Sequence, residues 1–234
     1  MNVYLHAMKQ GVYEDEYRVP GNSPLVNAEW LQRKFVRSRN NLAMTVRNIT
    51  ESKAYQHSLL RMANEDALTM LPNRHWLAGY LPQAIERAGT FGTMLGLFFI
   101  DLDGFKDIND RYGHQTGDLV LREVARRIQS ILRQDDKAVR LGGDEFLILV
   151  EQVLSRSLLE QVATRLCAAL NEPLSLDGNT LALGASIGIS VFPEHGKTPD
   201  TLLNHADAAM YDAKRTGKGK FAFYSSDDGT LFNR

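Results

Sequence analysis

The hydrophobic pattern changes character along this chain, and each regime predicts a different kind of structure. Up to about Asn48, the short runs Val12–Val19, Ala28–Val36 and Asn41–Arg47 read as strands. They are separated by Pro20-Gly21-Asn22-Ser23-Pro24 and Arg37-Ser38-Arg39-Asn40, both rich in turn formers. Three strands in so short a stretch make a poor core by themselves, so a partner chain or further sequence is expected to cover them. Thr50 then stands as a candidate N-cap for a helix from Glu51 to about Glu65. Tyr55, Leu59 and Met62 fall on one stripe of that helix. The stripe lasts only about two heptads, so it is either a short coiled-coil seam or one face of a linker helix packed on its neighbours.

From Asp66 onward the pattern alternates between helix and strand. Helical signals run from Trp76 to about Ala88. Met94–Ile100 is a continuous apolar run of strand length, as expected of a strand buried on both faces. Val120, Val124, Ile128 and Ile131 recur at helical spacing within Gly117–Arg133. Ala138–Leu141 and Phe146–Val150, split by Gly142-Gly143-Asp144-Glu145, read as a hairpin. Leu158–Leu170 is helical and Leu181–Phe192 is a strand with glycines. Thr198-Pro199-Asp200 opens a helix with Leu203, Ala206, Met210 and Ala213 on one face, and Lys220–Tyr224 closes as an edge strand. This order predicts an α/β (α+β) domain, a sheet with helices packed on it.

Composition narrows the function classes. At 234 residues the chain holds one full domain and a smaller piece, at roughly 100–200 residues per domain. Lys and Arg total 27 against 28 Asp and Glu, a net charge of −1. That balance gives no electrostatic footprint for duplex nucleic acid or an anionic membrane. The longest apolar run is far short of the ~20 residues that span a bilayer, and the N-terminus lacks a signal-peptide layout. The single cysteine, Cys167, excludes an intrachain disulfide and lies in an apolar helical pattern, which reads as core packing. A cytoplasmic setting is expected.

Three carboxylates are the candidate chemistry. Asp101 ends the most apolar strand, and Asp144 and Glu145 sit at the hairpin tip. If hairpin and strand are neighbours, these groups gather at one sheet edge, where they repel one another unless a cation neutralises them. A hard divalent ion with oxygen ligands, Mg²⁺ with substrate phosphates, suits such a site. The paired glycines admit a phosphate closely. Taken singly, each carboxylate could equally be a turn or cap residue.

Arg140-Leu141-Gly142-Gly143-Asp144-Glu145-Phe146 resembles the signature of the GGDEF family, the diguanylate cyclases. Four further segments are similar to that family in order and register: Asp66–Arg74, Asp101–Asp110, Tyr112–Asp118 and Ala206–Lys214. The likeness covers about Glu65 to Tyr224. It implies a central, mostly antiparallel five-stranded sheet flanked by helices, similar to the nucleotidyl cyclase/palm fold, after a short β-rich N-terminal piece. It also implies condensation of two GTP into cyclic di-GMP and two pyrophosphates by a homodimer with Mg²⁺ or Mn²⁺. The alternative is a catalytically silent module that binds GTP or cyclic di-GMP. A pure dimerisation or signalling module is a third reading.

The resemblance assigns roles by position. Asp101, Asp144 and the Leu102 backbone carbonyl would bind metal. Glu145 would join them or help remove the 3′-hydroxyl proton. Asn109 and Asp118 would read the guanine edge, although Asp118 is also a favourable charge at a helix N-terminus. Phe105, His114, Gly142 and Gly143 fall in substrate-binding segments. Lys106, Lys214 and Lys218 would neutralise the triphosphate, with the catalytic work shared by Glu145, Asp144 and Lys106. At Lys218 and Gly219 the family often has arginine and asparagine. Lysine keeps the charge and loses the bidentate fork, and a basic helix end also suits the helix dipole. Arg133 and Asp136 resemble the family's inhibitory product-binding site; such a pair is otherwise a common surface salt bridge. Val46–Lys53 looks like the exit of a PAS sensor, and Glu14–Val19 and Glu29–Val36 are similar to its last strands. The expected division is therefore 1–49 truncated sensor remnant, 50–65 linker helix and 66–234 cyclase domain.

Overall fold

The structure, a computed structural model, describes residues 3–20, 28–39, 41–176 and 179–226. The turn expected at Pro20–Pro24 lies outside the described residues beyond Pro20, as do Asn40 and the end of the expected 66–234 domain. The chain divides into two compact units, Met1–Met62 and Ala63–Arg234.

In the first unit, helix α1 (Val3–Gln10) precedes strands β1 (Val12–Arg18), β2 (Trp30–Ser38) and β3 (Asn41–Asn48), which form an antiparallel meander. The strands lie within two residues of the expected bounds. Helix α1 corrects the reading of everything before Asn48 as strand. Among its described side chains it buries only Ala7 fully, so it leaves almost no apolar period in the sequence. Phe35 and Leu31 form the small core beside it. Helix α2 (Thr50–Asn64) follows and buries none of its residues. Thr50 is not its N-cap in the expected sense. Asn48 Oδ1 accepts from the Thr50 N–H at 3.0 Å, and the Thr50 hydroxyl accepts from the N–H groups of Glu29 and Trp30 at 2.9 and 3.0 Å.

The second unit contains α3 (Arg74–Phe91), β4 (Met94–Asp103), α4 (Phe105–Tyr112), α5 (His114–Ile131), β5 (Lys137–Gly142) and β6 (Glu145–Val153). It continues through α6 (Arg156–Asn171), β7 (Leu174–Leu176), β8 (Asn179–Leu181), β9 (Gly184–Phe192), α7 (Pro199–Arg215) and β10 (Phe221–Phe223). Five strands form one sheet in the order β10-β9-β4-β6-β5, antiparallel except between β9 and β10. The expected Leu181–Phe192 strand is divided: Leu181 pairs in a separate hairpin with β7, and the sheet strand starts at Gly184. The expected Gly117–Arg133 helix begins three residues earlier at His114, after the separate short helix α4.

The central strand β4 explains its own composition. Phe98, Ile100 and Leu102 face the cluster built by α5 and α6, whereas Leu95, Leu97 and Phe99 face α3 and α7. Both faces are covered, so the run is apolar at successive positions. Cys167 packs against the first cluster, and burial pushes its thiol up to about 11, as expected of a core cysteine. Two glycines are required by close packing. A Cβ at Gly188 would lie 2.0 Å from the Ala206 carbonyl oxygen and 2.1 Å from the Met210 nitrogen, so α7 can cross β9 only there. A Cβ at Gly96 would meet Leu159 at 2.4 Å. Among the described residues no helix is long and apolar enough to cross a membrane.

Candidate active site

Antiparallel pairing of β4 with β6 sets Asp101 directly opposite Glu145. Directly opposed residues on one sheet face have Cβ atoms about 5 Å apart, and two carboxylates so placed disfavour each other's charge. Burial pushes Asp101 up, with Asp144 and Asp103 adding to the shift and Lys214 opposing it. Burial also pushes Glu145 up, aided by Asp101, Asp144 and Asp207 and opposed by Arg74. The hairpin turn is tied to the same edge: the Leu102 N–H donates to the Asp144 carbonyl at 3.3 Å. The structure thus brings together Asp101, Leu102, Asp144 and Glu145. Among the described residues, no group of three or more His, Cys, Asp or Glu side chains is arranged as a metal cluster. The cation beside Asp101 is Lys214, whose ammonium lies 2.6 Å from Asp101 Oδ1.

The Gly142-Gly143 turn is held from outside. Gly142 and Gly143 have φ of 140° and 54°, backbone that suits glycine. Arg140 donates from Nε and Nη2 to the Gly143 carbonyl at 3.2 and 2.8 Å, and from Nη1 to both oxygens of Asp66 at 2.9 and 3.1 Å. Burial pushes Asp66 up, but its bonds from Thr69 and Arg140 outweigh that and hold it below the usual carboxylate range. The Arg140 N–H also donates to the Pro72 carbonyl at 2.9 Å. The segment Asp66–Arg74 therefore braces the turn, and its last residue, Arg74, reaches to 3.9 Å from Glu145. Asp66, Arg74 and Arg140 lie within family-like segments, but their tasks are not legible in the sequence, because the contacts join positions far apart in the chain.

The other predicted residues fall around this edge in different states. Asn109 on α4 lies against the start of α5: a Cβ at Gly117 would be 1.9 Å from Asn109 Oδ1 and 3.3 Å from the Phe105 ring. Gly117 thus gives Asn109 room one residue before Asp118, which is exposed. Phe105 is buried, whereas Lys106 and His114 are exposed. Lys218 is exposed in the turn after α7 and makes no ion pair with a described residue. Asp136 accepts from the Arg133 backbone N–H at 3.0 Å, and the Arg133 side chain is exposed.

Residues 63–220 match the family described as "Diguanylate cyclase, GGDEF domain". The chain belongs to this family. Its GGDEF domain is 44% identical over 163 residues to "Diguanylate cyclase TpbB" of Pseudomonas aeruginosa, covering 69% of this chain and 38% of that protein. The solved GGDEF domain of TpbB aligns with a TM-score of 0.68 at 42% identity, covering 70% of this chain and 96% of that one. "Cyclic di-GMP phosphodiesterase PdeR" of Escherichia coli is 39% identical over 180 residues, covering 77% of this chain and 27% of that protein. The coiled coil and GGDEF domain of DgcB from Caulobacter crescentus, solved in complex with c-di-GMP, aligns with a TM-score of 0.64 at 27% identity, covering 75% and 93%. This chain spans about a quarter to two fifths of the length of these curated relatives.

Proposed function

We propose that this GGDEF domain is a diguanylate cyclase that condenses two GTP into cyclic di-GMP and two pyrophosphates. The observation that carries the reading is Asp101 facing Glu145 across β4 and β6, beside the glycine turn, with the Lys214 ammonium 2.6 Å from Asp101. Two neighbouring carboxylates pushed up chiefly by burial, a lysine at hand and a glycine turn open around Gly142 and Gly143 suit nucleotidyl transfer.

The donor set fits a hard divalent cation, Mg²⁺ or Mn²⁺. Each candidate ligand is an oxygen, and a cation would relieve the repulsion between Asp101 and Glu145. Asp101, Asp144 and the Leu102 carbonyl would hold it, with Glu145 as a further ligand or proton acceptor. When bound, it would supply charge stabilisation at the α-phosphate. Lys214 would then turn from Asp101 to the phosphates, joined by Lys106 and Lys218. Asn109 and Asp118 would hold the guanine edge, flanked by Phe105 and His114, and Gly142 and Gly143 would admit the phosphates.

The 3′-oxygen of one GTP forms a bond to the α-phosphorus of the other. The bond from that phosphorus to pyrophosphate breaks, and Glu145 or water takes the hydroxyl proton. The same exchange in the opposite sense closes the ring. Each active site holds one GTP, so two domains must face each other, and the exposed Tyr55–Met62 stripe of α2 would align them. Arg133 and Asp136 would hold product and inhibit. The segment 1–49 is a PAS-like sensor piece, 50–65 its linker and 66–234 the cyclase.

The test is incubation with GTP and Mg²⁺ over a range of protein concentrations. Cyclic di-GMP should form, with specific activity rising with concentration at the dilute end. GTP binding without product would instead favour the silent module. That second reading has its own support in PdeR, a relative named for phosphodiesterase activity.

A further inference from the structure

We propose that Asp103 and Asn171 are positioning residues: they grip the turn after α7 and thereby set where Lys218 leaves the backbone to meet the triphosphate. The proposal rests on Lys218 being a phosphate contact.

Three successive residues in this turn have positive φ: Gly217 at 132°, Lys218 at 55° and Gly219 at 62°. Glycine takes such angles freely, but a residue with a Cβ does so only where its surroundings hold it there. The surroundings here are built for that task. The Gly219 N–H donates to Asp103 Oδ2 at 3.0 Å, and the Gly219 carbonyl accepts from Asn171 Nδ2 at 2.8 Å. Both backbone polar groups of one residue are thus taken by side chains from β4 and the end of α6. The Lys218 N–H donates to the Ala213 carbonyl at 3.2 Å, closing the turn onto α7.

The two gripping side chains are themselves fixed. The Ser186 hydroxyl, fully buried on β9, lies 3.0 Å from each oxygen of Asp103. Asn171 Oδ1 accepts from the Ala185 N–H at 3.2 Å, so its carboxamide is held at both ends. Asp103 lies two residues after Asp101 on the same strand face, yet its oxygens serve the turn, while an oxygen of Asp101 meets Lys214. The cations around the turn are likewise distinguished. Lys214 is on Asp101, and the Lys220 ammonium bonds back to the Thr216 carbonyl. Lys218 alone of these three makes no ion pair or hydrogen bond through its side chain among the described residues. A rigidly anchored turn that carries an uncommitted ammonium is what a phosphate grip requires, since a preorganised group loses less on binding.

The experiment is a double-variant cycle on the full chain, with 3′-deoxy-GTP as probe because it lacks the attacking hydroxyl. Affinity is measured by calorimetry with Mg²⁺, and guanosine serves as the probe without phosphates. Asn171→Ala and Lys218→Ala should each weaken 3′-deoxy-GTP by about three- to tenfold and leave guanosine unchanged. The double variant should bind no more weakly than Lys218→Ala alone, since Asn171 acts through Lys218. Additive losses, or full affinity in Asn171→Ala, would overturn the proposal and return Asn171 to a purely structural role. Wild-type affinity in Lys218→Ala would overturn it at its root, by removing Lys218 from the phosphates. Failure of the wild type to bind 3′-deoxy-GTP would instead strike the cyclase reading itself. If Asn171→Ala does not fold, Ser186→Ala, which frees Asp103, tests the same coupling.

Discussion

The three-stranded and the five-stranded sheets of this chain end in opposite conditions. Along β4 nearly every residue is buried, because α5 and α6 cover one face and α3 and α7 the other. Along β3 no residue is buried, and Met44 and Val46 are 55% and 46% exposed. The second unit draws its cover from its own sequence, whereas among the described residues the helix packed on the first sheet is α1. A three-stranded sheet with so little cover is marginal by itself. The difference separates a sheet covered by helices on both faces from one that leaves apolar side chains exposed.

The largest expected effect lies wholly on one side of that comparison. Glu145→Gln should lower cyclic di-GMP production by about a hundredfold to ten-thousandfold while the circular dichroism spectrum stays that of the wild type. Near-normal turnover would remove Glu145 from the chemistry.

Core truncations sharpen the division into units. Phe98 and Phe35 are both almost fully buried, in the second and first unit respectively. Phe98→Ala should destabilise the second unit by about 3–5 kcal/mol. Phe35→Ala should abolish a separate, earlier unfolding transition and leave the main one in place. Urea unfolding followed by tryptophan fluorescence is a direct check, because Trp30 and Trp76 report one unit each. A single transition moved by both substitutions would refute independent units.

Gly188→Ala should cost about 1–3 kcal/mol, because its Cβ would collide with the backbone of α7. Since α7 carries Lys214 to Asp101, GTP affinity should fall as well. A variant that loses stability yet binds GTP as before would show that the seating of α7 does not govern the site.

The smallest effect concerns pH. Asp101 and Glu145 have folded pKa values raised above their unfolded ones. As pH rises, the unfolded chain gives up those protons first, so stability falls between the unfolded and folded values and stays lower above them. Glu145→Gln removes one such penalty, so without metal it should melt slightly higher than wild type near pH 7. The gap should close below about pH 4. A gap of the same size at every pH would exclude charge repulsion as its cause.

Much of this was legible in one dimension. The unbroken apolar run Met94–Ile100 declared a strand covered on both faces, Thr198-Pro199 marked the start of α7, and the glycines before Asp144 marked the hairpin turn. These are local signals, in which a residue's own chemistry or its periodic neighbours decide the outcome. Helix α1 escaped because a helix that buries one alanine among its described side chains leaves no period to read. The hold of Arg140 on Asp66 and Gly143, the pairing of Lys214 with Asp101, and the grip of Asp103 and Asn171 on Gly219 were equally invisible. Each joins side chains separated by many residues, or picks one partner among several of like charge. Only strand register and helix packing choose between such partners, because the energy of a charge or hydrogen bond depends on a distance that the folded chain alone defines.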